Sequence, residues 1–297
     1  MRDGVSASRV QVPAGNWSSV LAFLTTQFPA IERSTWQDRL DSGLVLDNMG
    51  LPLSADSLCR TGMTLFYYRA LPYEQVIPFQ EKILYQDEHM LVVDKPHFLP
   101  VIPSGRFVQE TLLVRLKKKL GIDSLSPIHR IDKDTAGLVL FSVNPLTRNA
   151  YHVLFRQRTV KKSYEAWAPI LKDRRYPFTY RSRLVEADEF FRMAEIAGEA
   201  NSETGVDIIE QQGESARYAL YPVTGRQHQL RVHMASLGAP ILNDRWYPHL
   251  QADQANDFSS PLQLLAKSLA FVDPLNGQQR YFESEQTLWV NPYNICN

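Results

Sequence analysis

Residues 128–143 read Ile-His-Arg-Ile-Asp-Lys-Asp-Thr-Ala-Gly-Leu-Val-Leu-Phe-Ser-Val, a dense polar run that passes directly into an apolar one. The apolar part, Leu138–Val143, suits one buried β-strand and is far shorter than the roughly 20 apolar residues that cross a bilayer. The polar part therefore lies on the connection feeding a rigid element, where functional groups are commonly displayed. Downstream, Asn144-Pro145 offers an N-cap and a first-turn proline, predicting a helix to about Arg158. Ser163–Pro169 and Ala216–Val223 read as further strands, and Gln227–Leu237 as a helix stopped by Gly238. Upstream, Ile83–Tyr85 and Met90–Lys95 flank Gln86-Asp87-Glu88-His89 as a hairpin, and Val108–Leu120 is helical with Gly121 as its stop. Strands and helices without strict βα alternation predict an α+β domain on a mixed or antiparallel sheet.

Residues 1–75 read as a small separate α+β domain. Ser18–Phe28 has the apolar spacing of an amphipathic helix, and Ser34-Thr35-Trp36-Gln37 starts a second helix that runs through Leu40. Gly43–Asp47 and Met63–Arg69 are short strand candidates. Leu71–Pro78, with two prolines, is the expected linker, giving domains 1–75 and 76–297.

A hydrophobic content of 44% with 22% charged residues is that of a soluble globular chain. No internal repeat is present, so a solenoid is not expected. Net charge is zero, but its distribution is uneven. Pro103–Arg183 holds 17 basic and 6 acidic residues, and the rest of the chain 15 and 26. Such a split can present one positive face to a polyanion, although solvated helix faces produce the same statistic. The first residues lack an apolar signal core, so export is not expected. Cys59 and Cys296, at opposite ends, make neither a disulfide framework nor a metal-ligand spacing, which points to a reducing cytoplasm.

A second polar cluster, Thr224-Gly225-Arg226-Gln227-His228-Gln229-Leu230-Arg231-Val232-His233, stands at a strand-to-helix junction. Three residues apart, His228 and Arg231 share a helix face, while Leu230 and Met234 share the apolar one.

These segments resemble the signature motifs of the RluA-type pseudouridine synthases. The family pattern His-Arg-Leu-Asp followed by Thr-Ser-Gly is met by His129-Arg130-Ile131-Asp132 and Thr135-Ala136-Gly137. The Gly-Arg-x-His-Gln-Ile-Arg-x-His pattern is met by Gly225–His233, with Leu230 for Ile. Lys162-Ser163-Tyr164-Glu165-Ala166 resembles the motif of the active-site tyrosine, Asp94-Lys95-Pro96 the first motif, and Gly238–Asp244 the segment after the arginine motif. The likeness runs over about residues 80–285. The chain departs from it at His97-Phe98-Leu99-Pro100, where a glycine is usual, at Ala136 (Ser), Asn243 (Gly) and Leu265 (His). Residues 16–70, above all Trp36–Val45, are similar to the alpha-L RNA-binding domain that often precedes such a catalytic domain, though acidic for that role.

The resemblance implies isomerisation of specific uridines in structured RNA, ribosomal RNA first and transfer RNA second, with neither cofactor nor metal. It makes Asp132 the catalytic carboxylate, Arg231 its partner and Tyr164 the residue that stacks on uracil and helps remove the base proton. A guanidinium beside a carboxylate favours the ionised form. Arg130 is expected to fill the space left by the extruded uridine, since a stacked base cannot reach a buried carboxylate. His129, Lys95, Thr135, Gly137, Arg226, His228, Lys161 and Lys162 complete the expected substrate and RNA contacts. The basic runs Arg115–Lys119, Arg156–Lys162 and Lys172–Arg175 would hold phosphates without reading sequence. A monomer without an obligate protein partner is the expected form. Two rivals stand against this reading. An inactive RNA-binding protein of the same fold is opposed by Asp132, Tyr164 and Arg231 being present together. A metal-dependent hydrolase is opposed by the lack of a compact metal motif.

Overall fold

The computed structural model describes residues 2–69, 71, 73–172, 174–189, 191–251 and 257–289. Cys296, Pro72 of the expected linker and Asp173 of a basic run lie outside the described residues. Two units separate by their internal contacts: Met1–Gln75 with Ile102–Asp123, and Val76–Val101 with Ser124–Asn297.

In the first unit, β1 (Ser8–Gln11), β2 (Val45–Leu46) and β3 (Thr64–Tyr67) form an antiparallel sheet in the order β1-β3-β2. Helices α1 (Val20–Gln27) and α2 (Arg33–Asp41) bury Phe23, Leu24 and Trp36 with Leu65 of β3. Ser19 caps α1, its hydroxyl accepting the Ala22 N–H at 3.2 Å. The cap expected of Ser34 is not formed. The helix begins one residue before it, with Glu32 in the cap position and no side-chain capping bond.

Residues 102–123, placed by sequence with the larger domain, belong to this first unit. Helix α3 (Leu112–Leu120) brings Val114 against Val5, Val108 and Leu71. It starts four residues later than the periodicity predicts because Glu74 takes the preceding backbone. Its carboxylate accepts the N–H groups of Val108, Gln109 and Glu110 at 2.6, 2.8 and 2.7 Å. Thr111 caps the helix and Gly121, at φ 67°, ends it in the left-handed conformation that favours glycine.

The second unit is built on one sheet of eleven strands. In chain order these are β4 (Lys82–Gln86), β5 (Met90–Lys95), β6 (Ser126–Pro127), β7 (Ala136–Ser142), β8 (Lys161–Pro169), β9 (Phe178–Glu186), β10 (Met193–Ile196), β11 (Ser202–Gln212), β12 (Ser215–Pro222), β13 (Leu264–Val272) and β14 (Gln279–Glu283). The spatial order is β10-β9-β11-β12-β8-β13-β7-β5-β4, with β14 on β13 and β6 on β7. Every pairing is antiparallel except β13 with β7, so the mixed-sheet α+β expectation holds. Helix α4 (Arg148–Arg156) lies in a cluster where Tyr151 meets Met90, Leu138 and Leu140. It begins after the predicted Asn144-Pro145 start, because the Asn144 side chain closes a turn by accepting the Leu146 N–H at 3.0 Å. Helix α5 (Gln229–Ser236) sets Leu230 and Met234 against Ala166, Tyr218 and Leu220 of β8 and β12. That apolar face anchors the helix and leaves Arg231 to another side.

Candidate active site

The loop from His129 to Thr135 enters β7 through a turn in which the Asp132 carbonyl accepts the Thr135 N–H at 3.2 Å. Two side chains from the end of β5 pin this loop. Lys95, fully buried, donates from Nζ to the carbonyls of Pro96 (2.9 Å) and Lys133 (3.0 Å). His97 Nδ1 meets the Asp134 carbonyl at 2.7 Å. Burial pulls the Lys95 pKa down to about 7, although Asp134 and Asp132 oppose the shift. Burial also takes His97 down to about 4. At the far side of the turn, Gly137 has φ 108°, and a Cβ there would lie 2.3 Å from the Ala266 carbonyl oxygen. The close approach of β7 to β13 thus requires glycine.

Asp132 opens into a cavity of about 530 Å³, together with His129, Arg130, Thr135, Lys162, Tyr164, Arg226, His228 and Arg231. The two expected catalytic groups meet across 99 residues of chain. Arg231 Nη1 lies 3.4 Å from Asp132 Oδ2. The stronger partner of Arg231 is another carboxylate. Its Nε and Nη2 donate to Asp244 at 2.8 and 2.7 Å, a two-pronged bond between side chains only 2% and 1% exposed. The Asp132 side chain is 25% exposed. Asp244 therefore fixes the guanidinium in the interior, and the remaining Nη1 reaches the carboxylate that faces the cavity. Trp246 and Tyr247 complete the enclosure, their ring centroids 5.0 and 5.3 Å from the Arg231 carbon. Asp244 stands at the end of the segment after the arginine motif, with no role implied for it there, and Trp246 and Tyr247 lie beyond that segment.

Tyr164 and Lys162 share one face of β8 and line the cavity, whereas Lys161, one residue earlier, is exposed and does not. Strand alternation decides between the two lysines. Lys95 and Gly137 likewise lie outside the cavity lining, and act on the loop from behind. Burial, seconded by the Asp132 charge, raises the Tyr164 pKa well above its ordinary value, so its phenol stays protonated. His129 accepts the Leu140 N–H at Nε2 (3.1 Å) and stacks on Phe155. Burial takes its pKa down to about 3, so it packs as a neutral ring. His233 is held by Ser202, Ser182 and Thr204 at 2.9 to 3.1 Å, and burial lowers it to about 4. Arg130 and Arg226 are exposed at the cavity.

Residues 89–236 match the family model described as RNA pseudouridylate synthase. Over 209 residues the chain is 32% identical to the dual-specificity RNA pseudouridine synthase RluA of Haemophilus influenzae, covering 68% of this chain and 92% of that relative. The chain belongs to the RluA-type pseudouridine synthase family. It is accordingly an RNA pseudouridine synthase, an isomerase. A pseudouridine synthase of Synechocystis sp. is 30% identical over 238 residues, which cover 77% of this synthase and 79% of the relative. The fold agrees with the solved structure of human RNA Pseudouridylate Synthase Domain Containing 1, at a TM-score of 0.57 and 20% identity over 72% of this chain and 92% of that one. It agrees also with human RNA Pseudouridylate Synthase Domain Containing 4, at 0.53 and 26% over 69% and 88%.

Two departures from the family pattern have a conformational reading in this synthase. Asn243 stands where glycine is common and has φ 62°, a conformation asparagine tolerates better than most residues. Phe98, beside the position of the missing glycine, has φ 67°. That costs a bulky residue roughly 1–3 kcal/mol. It is held there by Phe79 and Phe258, whose rings lie 5.9 and 5.1 Å away. Among the described residues, no helix is long and apolar enough to cross a membrane, and no three His, Cys, Asp or Glu side chains gather in a way that could hold a metal ion.

Proposed function

We propose that this synthase converts specific uridines of structured RNA to pseudouridine, ribosomal RNA before transfer RNA, with Asp132 as the reacting carboxylate. One observation carries the reading. Asp132 is the carboxylate that faces the cavity, while the arginine beside it is immobilised from behind by a second, fully buried acid. Such an arrangement keeps a negative charge oriented toward a bound nucleotide without burying it in the resting enzyme. Several similar proteins are named dual-specificity enzymes, which supports keeping both RNA classes in view.

The reaction breaks the bond from uracil N1 to the sugar, turns the base and rejoins it through C5, whose hydrogen leaves as a proton. Nothing enters or leaves on balance except that proton, replaced at N1. Asp132 supplies the ionised oxygen for the first step. Tyr164 offers its ring as a stacking surface for uracil. Its raised pKa argues against a phenolate base at rest, which narrows the role expected of it to stacking and hydroxyl contact. The cavity lies within the range of about 300–1,000 Å³ typical of small-molecule sites, which suits one nucleotide drawn out of its helix. Arg130, exposed at the mouth, is the group to enter the vacated stack. Lys162 and Arg226 hold neighbouring phosphates. The first unit is an RNA-binding or accessory module, the protein acts as a monomer, and the two well-separated cysteines suit a reducing cytoplasm.

The test is a transcriptome-wide map of pseudouridine in cells with the protein, without it, and complemented with wild type or Asp132→Ala. One or a few uridines are expected to lose the modification and to regain it with wild type only. Restoration by Asp132→Ala would overturn the assignment of the carboxylate.

A further inference from the structure

His228 occupies an unusual position. It is the residue before the first turn of α5, and its φ of 52° places a non-glycine in the left-handed region. Such a conformation persists only where packing fixes it. Here the ring is held edge-on by Trp246 and Tyr247, with centroids 5.0 and 5.7 Å away and interplanar angles of 69° and 74°. The left-handed turn directs the imidazole toward the cavity loop, where Nε2 lies 3.8 Å from Asp132 Oδ1.

The hydrogen bonds around this ring bear on where its proton sits. The Tyr247 oxygen accepts the Met193 N–H at 2.8 Å and lies 2.9 Å from His228 Nδ1. Among the described residues His228 Nδ1 is the acceptor within reach of this hydroxyl, so the Tyr247 proton is assigned to Nδ1. A neutral imidazole that accepts at Nδ1 carries its hydrogen on Nε2. Each Asp132 oxygen then has one N–H facing it: Arg231 Nη1 at Oδ2 and His228 Nε2 at Oδ1. We infer that Tyr247 and His228 are positioning residues for Asp132, the tyrosine hydroxyl holding the imidazole in the tautomer whose Nε2–H steadies the carboxylate. The 3.8 Å separation is that of a resting site, and such contacts shorten when substrate fills a catalytic cavity. The inference rests on the proposed role of Asp132.

Burial keeps His228 below the ordinary histidine range. The charged groups facing the ring are Asp132 and Asp134 from the loop before β7, Arg231 from α5 and Asp244 from the segment after it. Protonation of Nδ1 would turn it from acceptor to donor and leave the Tyr247 hydroxyl proton without its acceptor, so the proposed arrangement belongs to the neutral ring. Removing the tyrosine hydroxyl withdraws a bond made to the neutral form, which raises the His228 pKa.

The experiment uses the full chain and uridine-labelled RNA from cells lacking it, with tritium released from C5 measured in single turnover. Tyr247→Phe is expected to lower the saturating rate about tenfold, the equivalent of one lost hydrogen bond. The enzyme concentration for half-saturation should be unchanged, and the acid limb of the rate profile should move to higher pH. His228→Gln, whose amide N–H can stand near Nε2, should retain more of the rate than His228→Leu at matched thermal stability. Asp132→Asn, run beside them, separates the two claims. If it is active, the catalytic reading fails and takes this one with it. If it is inactive while Tyr247→Phe keeps the parental rate and pH profile, or His228→Gln equals His228→Leu, the positioning role alone is overturned.

Discussion

Replacing Asp244 should cost this synthase its stability, whereas replacing Asp132 should cost only its activity. Asp244→Ala removes the acceptor of both Arg231 bonds and of the Trp246 and Tyr247 N–H groups, at 2.7 to 3.1 Å. Arg231 is 2% exposed, so its charge would remain in the interior with water largely excluded. Breaking one side of such a buried pair typically costs about 3–5 kcal/mol. At about 2–4 °C per kcal/mol for a unit of this size, the melting temperature should fall by roughly 6–20 °C. Asp132→Ala removes a side chain that is 25% exposed and touches Arg231 at 3.4 Å. That contact is worth at most about 1 kcal/mol. Its melt should stay within a few degrees of wild type while C5 tritium release is abolished. The double variant Arg231→Leu with Asp244→Leu should recover part of the lost stability, because no fully buried charge is left alone even though the Trp246 and Tyr247 N–H groups lose their acceptor, and none of the activity. Thermal unfolding followed by near-ultraviolet circular dichroism measures all three proteins. Equal melting shifts for Asp244→Ala and Asp132→Ala would refute the division of labour between the two acids.

Gly137→Ala should destabilise the second unit by several kcal/mol, since the new methyl would sit 2.3 Å from the Ala266 carbonyl oxygen; chemical denaturation measures it, and a loss below about 1 kcal/mol would contradict the geometry. Lys95 links stability to pH. Its pKa falls from 10.5 to about 7 on folding, so between those values the unfolded chain holds a proton that the folded one has shed, and stability rises with pH. Lys95→Met should remove that rise, visible as a flatter plot of unfolding free energy from pH 7 to 10. Arg158 and Lys162 both line the cavity, where burial lowers the lysine's pKa and the arginine's charge adds to the shift. Replacing each by Gln should weaken RNA binding and reduce the salt dependence by about one counterion per residue, read from filter binding at several ionic strengths.

The sequence by itself determined the family and the α+β class, and it marked Asp132, Tyr164, His228 and Arg231 as candidates, because those groups stand in contiguous motifs whose order along the chain is the signal. Helices α1 and α5 were legible for a similar reason: their apolar spacing and stop signals are local. The strands β9, β10, β11, β13 and β14 were not read, and their places in the sheet depend on partners far away in sequence. Helix α3 began late because Glu74, more than thirty residues upstream, had taken the backbone N–H groups ahead of it. Only the tertiary structure decided that Arg231 belongs first to Asp244, that Lys162 faces the cavity while Lys161 faces out, and that the Tyr247 hydroxyl stands beside His228 Nδ1. Sequence spacing records which residues share one face of one element. Which charge is buried, and which oxygen a given N–H meets, depends on separate stretches of chain excluding water together, and that exists only once they have packed.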